Sequence, residues 1–210
     1  MRGLNRLLFY IGLLLFALPI AAQQPDAKAI LDRTAATFQK AGSVRIAFTF
    51  QAAEGSSTGT VRLKGNKFLL ETEEGTTWFD GRTQWSYLAL SDEVNISEPT
   101  PEELRSINPY SLLSLYKQGY GLKLEKADVP QLKSCHKVVL TAQDRKRDLQ
   151  CVILYVTKDT YRPTRVSMVQ RGGDTATLFV DSYKTGEVYP DSLFVFDKKA
   201  HPTAELIDLR

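Results

Sequence analysis

The chain has 210 residues, with 27 Lys and Arg against 24 Asp and Glu for a net charge of +3, and 43% of it is hydrophobic. That is enough apolar material for one domain with a sizeable core. The basic residues are not clustered, which excludes the electrostatic footprint that nucleic-acid binding needs, and two cysteines and two histidines leave little material for metal chemistry.

Arg2 and Arg6 form a basic start, Leu7 to Phe16 an apolar stretch, and Ile20-Ala21-Ala22 a small-residue cleavage site before Gln23. The apolar stretch is interrupted by Gly12 and Pro19 and is too short to span about 30 Å of hydrocarbon comfortably. We expect a cleaved signal peptide over 1–22, with an uncleaved anchor as the alternative, and a soluble exported domain over 23–210. The first cysteine is Cys135, so no lipid is expected at the cleavage site. Loss of Arg2 and Arg6 with the leader lowers the net charge from +3 to +1.

Pro25-Asp26 starts a helix through about Ala41, with Ala27, Ile30, Leu31, Thr34 and Phe38 on one stripe and Gly42 as the stop. Strands then dominate. Ile46, Phe48 and Phe50 alternate with polar or small neighbours, as do Val61 and Leu63, and Phe68 and Leu70 follow. Asp80-Gly81 lies between Trp78-Phe79 and Trp85-x-Tyr87, a tight turn that folds two aromatic strands onto each other. Thr100-Pro101-Glu102-Glu103 and Asn108-Pro109 read as helix starts, and Tyr110 to Lys117 as a short, nearly all-apolar helix ended by Gly119: a lid or plug.

Further strands are expected over about 136–142, 150–157, 163–170, 175–184 and 192–196, with the tail as one more strand or an extended strap. The Arg145-Lys146-Arg147 run, between Asp144 and Asp148, is a hairpin tip. A turn centred near Lys146 sets Cys135 opposite residue 157 and Cys151 opposite 141, too far apart to bond; a shifted turn would restore a disulfide. The fold class expected is α+β, mainly β: an incomplete antiparallel barrel, a curved sheet of roughly ten strands with a helical lid over an apolar cavity.

Chemistry is scarce. His136 and His201 are the only histidines, no G-x-S-x-G elbow is present, and Cys135-His136 lacks a second pair at metal-ligand spacing. The carboxylate pairs Glu73-Glu74, Asp92-Glu93 and Glu102-Glu103 sit at turns or a helix start. The chain reads as a binder that needs no cofactor or metal, and as no enzyme; an exported hydrolase using His136 and a scaffold with a filled core are the rivals. Each aromatic residue taken alone is core, and the scarcity of helices to cover so much aromatic sheet is what favours a ligand.

The motif Gly59-x-Val61-x-x-Lys64-x-Asn66-x-Phe68, followed by Asp80-Gly81-x-x-x-Trp85-x-Tyr87, resembles the LolA family of periplasmic lipoprotein carriers in its Bacteroidetes-like form. The leading helix, the Asn108-Pro109 helix and Asp191-Ser192-x-Phe194-x-Phe196 extend the resemblance over the mature chain. It implies an unclosed barrel under a helical lid that takes the acyl chains of lipoproteins from an inner-membrane lipoprotein-releasing ABC transporter to the outer membrane. Whether an acceptor waits there is left open, and the carrier is expected to be a periplasmic monomer. The lining expected from this reading is Phe68, Leu70, Trp85, Tyr87, Phe194 and Phe196 on the sheet, with Leu112 and Tyr116 from the lid. Lys64-Gly65 stands where the family often has arginine and proline, and lysine cannot make arginine's planar forked hydrogen bonds, so Lys64 is expected either as a polar contact at the cavity mouth or as an exposed strand residue. A LolA-like sensor that recognises an envelope protein or another lipid is the rival within the same architecture.

Overall fold

The computed structural model describes residues 26–100 and 115–210. The expected leader, the helix starts at Pro101 and Pro109, and Leu112 lie outside the described residues. Helix α1 (Ala27–Lys40) begins where the Asp26 carboxylate accepts the Ala29 amide, and buries the stripe Ala27, Ile30, Leu31, Thr34 and Phe38. Gly42, at φ +69°, turns the chain into the first strand.

One half of the sheet is an antiparallel run of β1 (Ser43–Ala52), β2 (Gly55–Lys64), β3 (Lys67–Thr72), β4 (Gly75–Phe79), β5 (Gln84–Leu88) and β6 (Glu93–Ser97). The other half is β7 (Tyr120–Glu125), β8 (Cys135–Ala142), β9 (Leu149–Thr157), β10 (Pro163–Gln170) and β11 (Thr175–Thr185). β11 pairs with β1 and fuses the halves; β12 (Glu205–Asp208) adds to β6 in parallel. The spatial order is β12-β6-β5-β4-β3-β2-β1-β11-β10-β9-β8-β7, so among the described residues β12 and β7 are the edges of a curved sheet that does not close. The described residues thus hold twelve strands with one parallel pair, where about ten antiparallel ones were expected.

The curvature has identifiable causes. Asp181 is the extra residue of a β-bulge opposite Ala47/Phe48. A Cβ on Gly59 would lie 2.5 Å from the Phe48 ring, and one on Gly75 would overlap the Tyr87 carbonyl. Both glycines permit an approach that no side chain allows, as at the corners of curled sheets.

One expected strand is corrected. Residues 192–196 do not join the sheet: Asp191–Phe194 is a 3₁₀ turn, closed by the Leu193 amide on the Pro190 carbonyl at 3.1 Å. Its alternating Phe194 and Phe196 imitate a strand, but the segment crosses the sheet instead of running along it. The β8–β9 register is as expected, Cys135 opposite Thr157 and Thr141 opposite Cys151, and both cysteines are free thiols.

Candidate functional site

Register decides which side chains share a face. Val44 pairs with Leu63, Leu63 with Phe68, and Phe68 with Phe79, so these four point one way; Ile46, Val61 and Leu70 follow in the next row. Beyond them Phe48 pairs with Val180 and Phe50 with Leu178, and Leu178 with Val166 carries the face into β10, β9, β8 and β7. α1 touches this face at both ends: Ala27, Ile30 and Leu31 pack with Val138, Leu140, Val152, Leu154 and Val156, while Phe38 packs with Val44, Leu63 and Phe68. A 14-residue helix is about 21 Å long. It can reach strands so far apart in the order only if the sheet wraps around it, so this is the concave face.

The cover on that face is uneven. Over β7–β10 it is dense, with Val138 and Val156 fully buried and Tyr116, Tyr120 and Leu115 added. Over β1–β6 burial falls along the strands. Leu63, Phe68 and Phe79 are at most 1% exposed beside Phe38, Leu70 and Phe50 are half-buried, and Leu88 at the far end is 43% exposed. α1 therefore plugs one end of this half; Phe48 is buried, and Phe50, Leu70, Leu178 and Val180 are half-buried, Leu70 at the margin of the Phe38 cluster and Leu178 at the margin of the Ile30 cluster.

Tyr116 pins the helix. Its hydroxyl donates to Asp32, and burial with that carboxylate holds its pKa up at about 12. Asp32, bonded by Lys28 and Tyr116, titrates below the usual carboxylate range. Arg33 donates to the Tyr161 hydroxyl at 2.7 Å and lies over its ring. Tyr161 takes φ +53°, a strained conformation for an aromatic residue, and stacks on His136. Burial, with Lys158 nearby, pushes His136 below its ordinary pKa.

The expected lining divides between two faces. Phe68 and Leu70 are concave, and Tyr116 packs on the dense concave half. Trp85 and Tyr87 are convex: Trp85 pairs with Trp78, which pairs with Leu69, one residue out of step with Phe68. Phe194 and Phe196 lie on that same convex face. Residues 186–204 cross it as a strap, burying Phe194 completely against Leu69 and Tyr189. Phe196 meets Trp78 at 5.5 Å between ring centroids, and His201 sits among Trp78, Tyr87 and Phe196 at 4.5–5.8 Å.

Lys64 belongs to this strap as well. Its ammonium donates to the Tyr189 carbonyl at 2.7 Å and pairs with Asp191 at 2.8 Å, and Lys67 reaches the other Asp191 oxygen at 2.9 Å. The two cations hold the Asp191 pKa down at about 2. The expected residues thus form one concave set and one strap-covered set, and not a single wall. Phe48, Phe50, Leu178 and Val180 were missing from the expected lining, although Phe48 and Phe50 share the parity of Ile46.

Among the described residues no group of three or more His, Cys, Asp or Glu could hold a metal ion, and no helix is long and apolar enough to cross a membrane. An open depression of about 390 Å³ beside Gly59 is edged by Thr58, Thr60, Glu71, Glu73 and Asp181, a polar rim unsuited to an acyl chain.

An unclosed sheet curled around a helix, with an apolar concave surface and convex aromatics sealed by a strap, is the frame of a carrier or binding protein. Residues 18–174 match the family described as outer membrane lipoprotein carrier protein LolA, and the chain belongs to that family. Among solved structures, an uncharacterised conserved protein of Thermus thermophilus superposes with a TM-score of 0.61 at 19% identity, over 87% of this chain and 98% of that one. A LolA superfamily protein of Nitrosomonas europaea gives 0.41 at 15% identity, over 82% and 98%. MucB of Pseudomonas aeruginosa, solved in complex with MucA, gives 0.46 at 15% identity, over 82% of this chain and 62% of that one. No curated protein sequence matches the chain.

Proposed function

We propose that this protein is a periplasmic carrier, a domain over 23–210 freed from its leader near Ala22, that shuttles acylated lipoproteins from the inner to the outer membrane. It works as a monomer without cofactor or catalytic step, loaded by an inner-membrane ABC transporter and unloaded at the outer membrane. The observation that carries this reading is the apolar concave face, which α1 covers only in part among the described residues. Phe50, Leu70, Leu178 and Val180 are half-buried on it, the kind of surface an acyl chain buries.

A C16 chain gains about 0.8 kcal/mol per buried CH₂, roughly 12 kcal/mol gross. Full burial at that gain would make release slow. Among the described residues α1 roofs only part of this floor, and a partial grip is what a shuttle requires.

Leu70→Glu places a charge on this floor, whereas Trp85→Glu places one on the opposite, strap-covered face. Binding of an acylated lipoprotein by the purified protein should be lost with Leu70→Glu while its unacylated form binds neither variant nor parent. Equal binding of acylated and unacylated forms would replace the carrier with a module that recognises protein. Organic extracts free of lipid, together with no acyl binding, would leave only a scaffold.

A further inference from the structure

The concave face changes chemistry along its cross-strand rows, and the change falls at β4. In one row Ile46, Val61 and Leu70 give way to Thr77, Ser86 and Asn95. In the next, Val44, Leu63, Phe68 and Phe79 give way to Gln84 and Ser97. Side chains opposite each other in register share a face, so these five polar residues lie on the same side of the sheet as Leu70 and Phe68. All five are half-buried.

Polar residues near the edge of a sheet ordinarily face water, which satisfies them, and Gln84 departs from that pattern. Its Nε2 donates to the Ser86 Oγ at 3.1 Å, while its Oε1 is shielded from solvent and has no hydrogen-bond partner. A buried acceptor left unpaired is destabilising, and folded chains hold few of them. The Ser86 oxygen accepts from Gln84 and, at 3.5 Å, from the Thr77 hydroxyl, so its own proton is left to donate. A free acceptor and a free donor thus lie side by side where the apolar floor ends. Gln84 as a whole is half-buried and its terminal torsion is soft, so a small turn of the amide presents the oxygen to a ligand on the floor.

Resting on the carrier reading, we infer that Gln84 and Ser86 form a subsite for the linkage that joins an acyl chain to its head group, and that this linkage is a secondary amide. The chain lies over Leu70, Phe50 and Val180. The amide N–H donates to the Gln84 Oε1, and the amide carbonyl accepts from the Ser86 hydroxyl. An ester presents a carbonyl to Ser86 but no N–H, and leaves the Gln84 oxygen unpaired.

The experiment compares N-methyl lauramide, N,N-dimethyl lauramide and methyl laurate, which share one acyl chain and one carbonyl and differ in the N–H. Binding to the full mature chain is read by displacement of a fluorescent fatty acid. The N-methyl amide should bind about fivefold tighter than either of the others. On an apolar floor without an acceptor the order runs the other way, because an amide N–H is costlier to desolvate than an ester oxygen. Gln84→Met should therefore put the ester ahead of the N-methyl amide, with its affinity for the ester unchanged, which also shows that it folds. Ser86→Ala should weaken all three ligands by a similar factor, since each keeps its carbonyl. Equal binding of amide and ester by the parent, or an amide advantage that survives in Gln84→Met, overturns the subsite and leaves the carrier standing. If none of the three displaces the probe, the carrier reading fails and this inference falls with it.

Discussion

Phe194→Ala tests how the strap is held. Phe194 is fully buried against Leu69 and Tyr189, and truncating such a ring costs about 3–5 kcal/mol. The other anchors are smaller. Asp191 is 66% exposed in its pairs with Lys64 and Lys67, so solvent screens both, and β12 is only four residues long. Losing most of the anchorage should free the strap locally while the rest of the sheet stays folded, because Val44, Leu63, Phe68 and Phe79 pack on the other face. The Glu205 and Leu209 amides, which donate to the Asp92 and Ile96 carbonyls at 2.9 and 2.8 Å, should then exchange about 10²–10³-fold faster. Core amides in β9 should barely change. Both tryptophans lie on the strap-covered face, so their emission should shift red in step. Hydrogen exchange that quickens equally in β9 and β12, or tryptophan emission that does not move, would refute the assignment of Phe194 as a local anchor.

Three further outcomes follow from the same geometry. Gly75→Ala should lower the thermal midpoint by several degrees and broaden the β4–β5 amide signals, because its Cβ would overlap the Tyr87 carbonyl, whereas Gly173→Ala, with open space around it, should pay only for its positive φ. Asp191 has a folded pKa of about 2 against 3.8 for the free side chain, so its stabilising effect is complete above about pH 4 and fades as the pH falls toward 2. The unfolding free energies of the parent and Asp191→Asn should accordingly differ at neutral pH and converge near pH 2. The β8–β9 register separates Cys135 and Cys151 by six residues along the strands, about 20 Å, so a reductant should leave the unfolding curve unmoved and both thiols should titrate in denaturant.

Much of the architecture was legible because most of its elements follow short-range rules. The α1 stripe, its Asp26 cap and its Gly42 stop depend on residues a few positions apart, and all formed as expected. The Asp80-Gly81 hairpin formed for a similar local reason: the Asp80 carboxylate accepts the Arg82 and Thr83 amides at 2.9 and 2.8 Å. The β8–β9 register followed from one turn. Faces were harder, because aromatic residues occupy both sides of β3–β5. Phe68 and Trp85 are each half of a strong period-2 pattern, and only the Phe68–Phe79 and Trp78–Trp85 pairings put them on opposite sides. The strap was illegible for a different reason. Phe194 and Phe196 alternate like a strand, and nothing near them in sequence says that the chain will cross β3–β6 to meet Leu69 and Trp78.

The two faces also explain why so aromatic a chain can carry a ligand on one side without exposing grease on the other. The one α-helix among the described residues cannot cover both surfaces of the sheet. Here α1 takes the concave side and the last 25 residues take the convex side of β3–β6, where Trp78, Trp85 and Tyr87 would otherwise face water. The convex aromatics are thereby withdrawn from ligand binding. The concave surface past Phe38 is only partly covered by α1, and it lies on the strands that carry the Gly59 and Gly75 approaches and the Asp181 bulge. Curvature brings Phe50, Leu70 and Val180 toward one another on the concave side, and straightening it would spread them over a flat sheet. If that is the role of the curvature, Gly75→Ala should weaken acyl binding by more than its loss of stability accounts for. Titration with a fluorescent fatty acid well below the thermal midpoint measures that difference, and unchanged affinity in the folded variant would show that the bend serves stability alone.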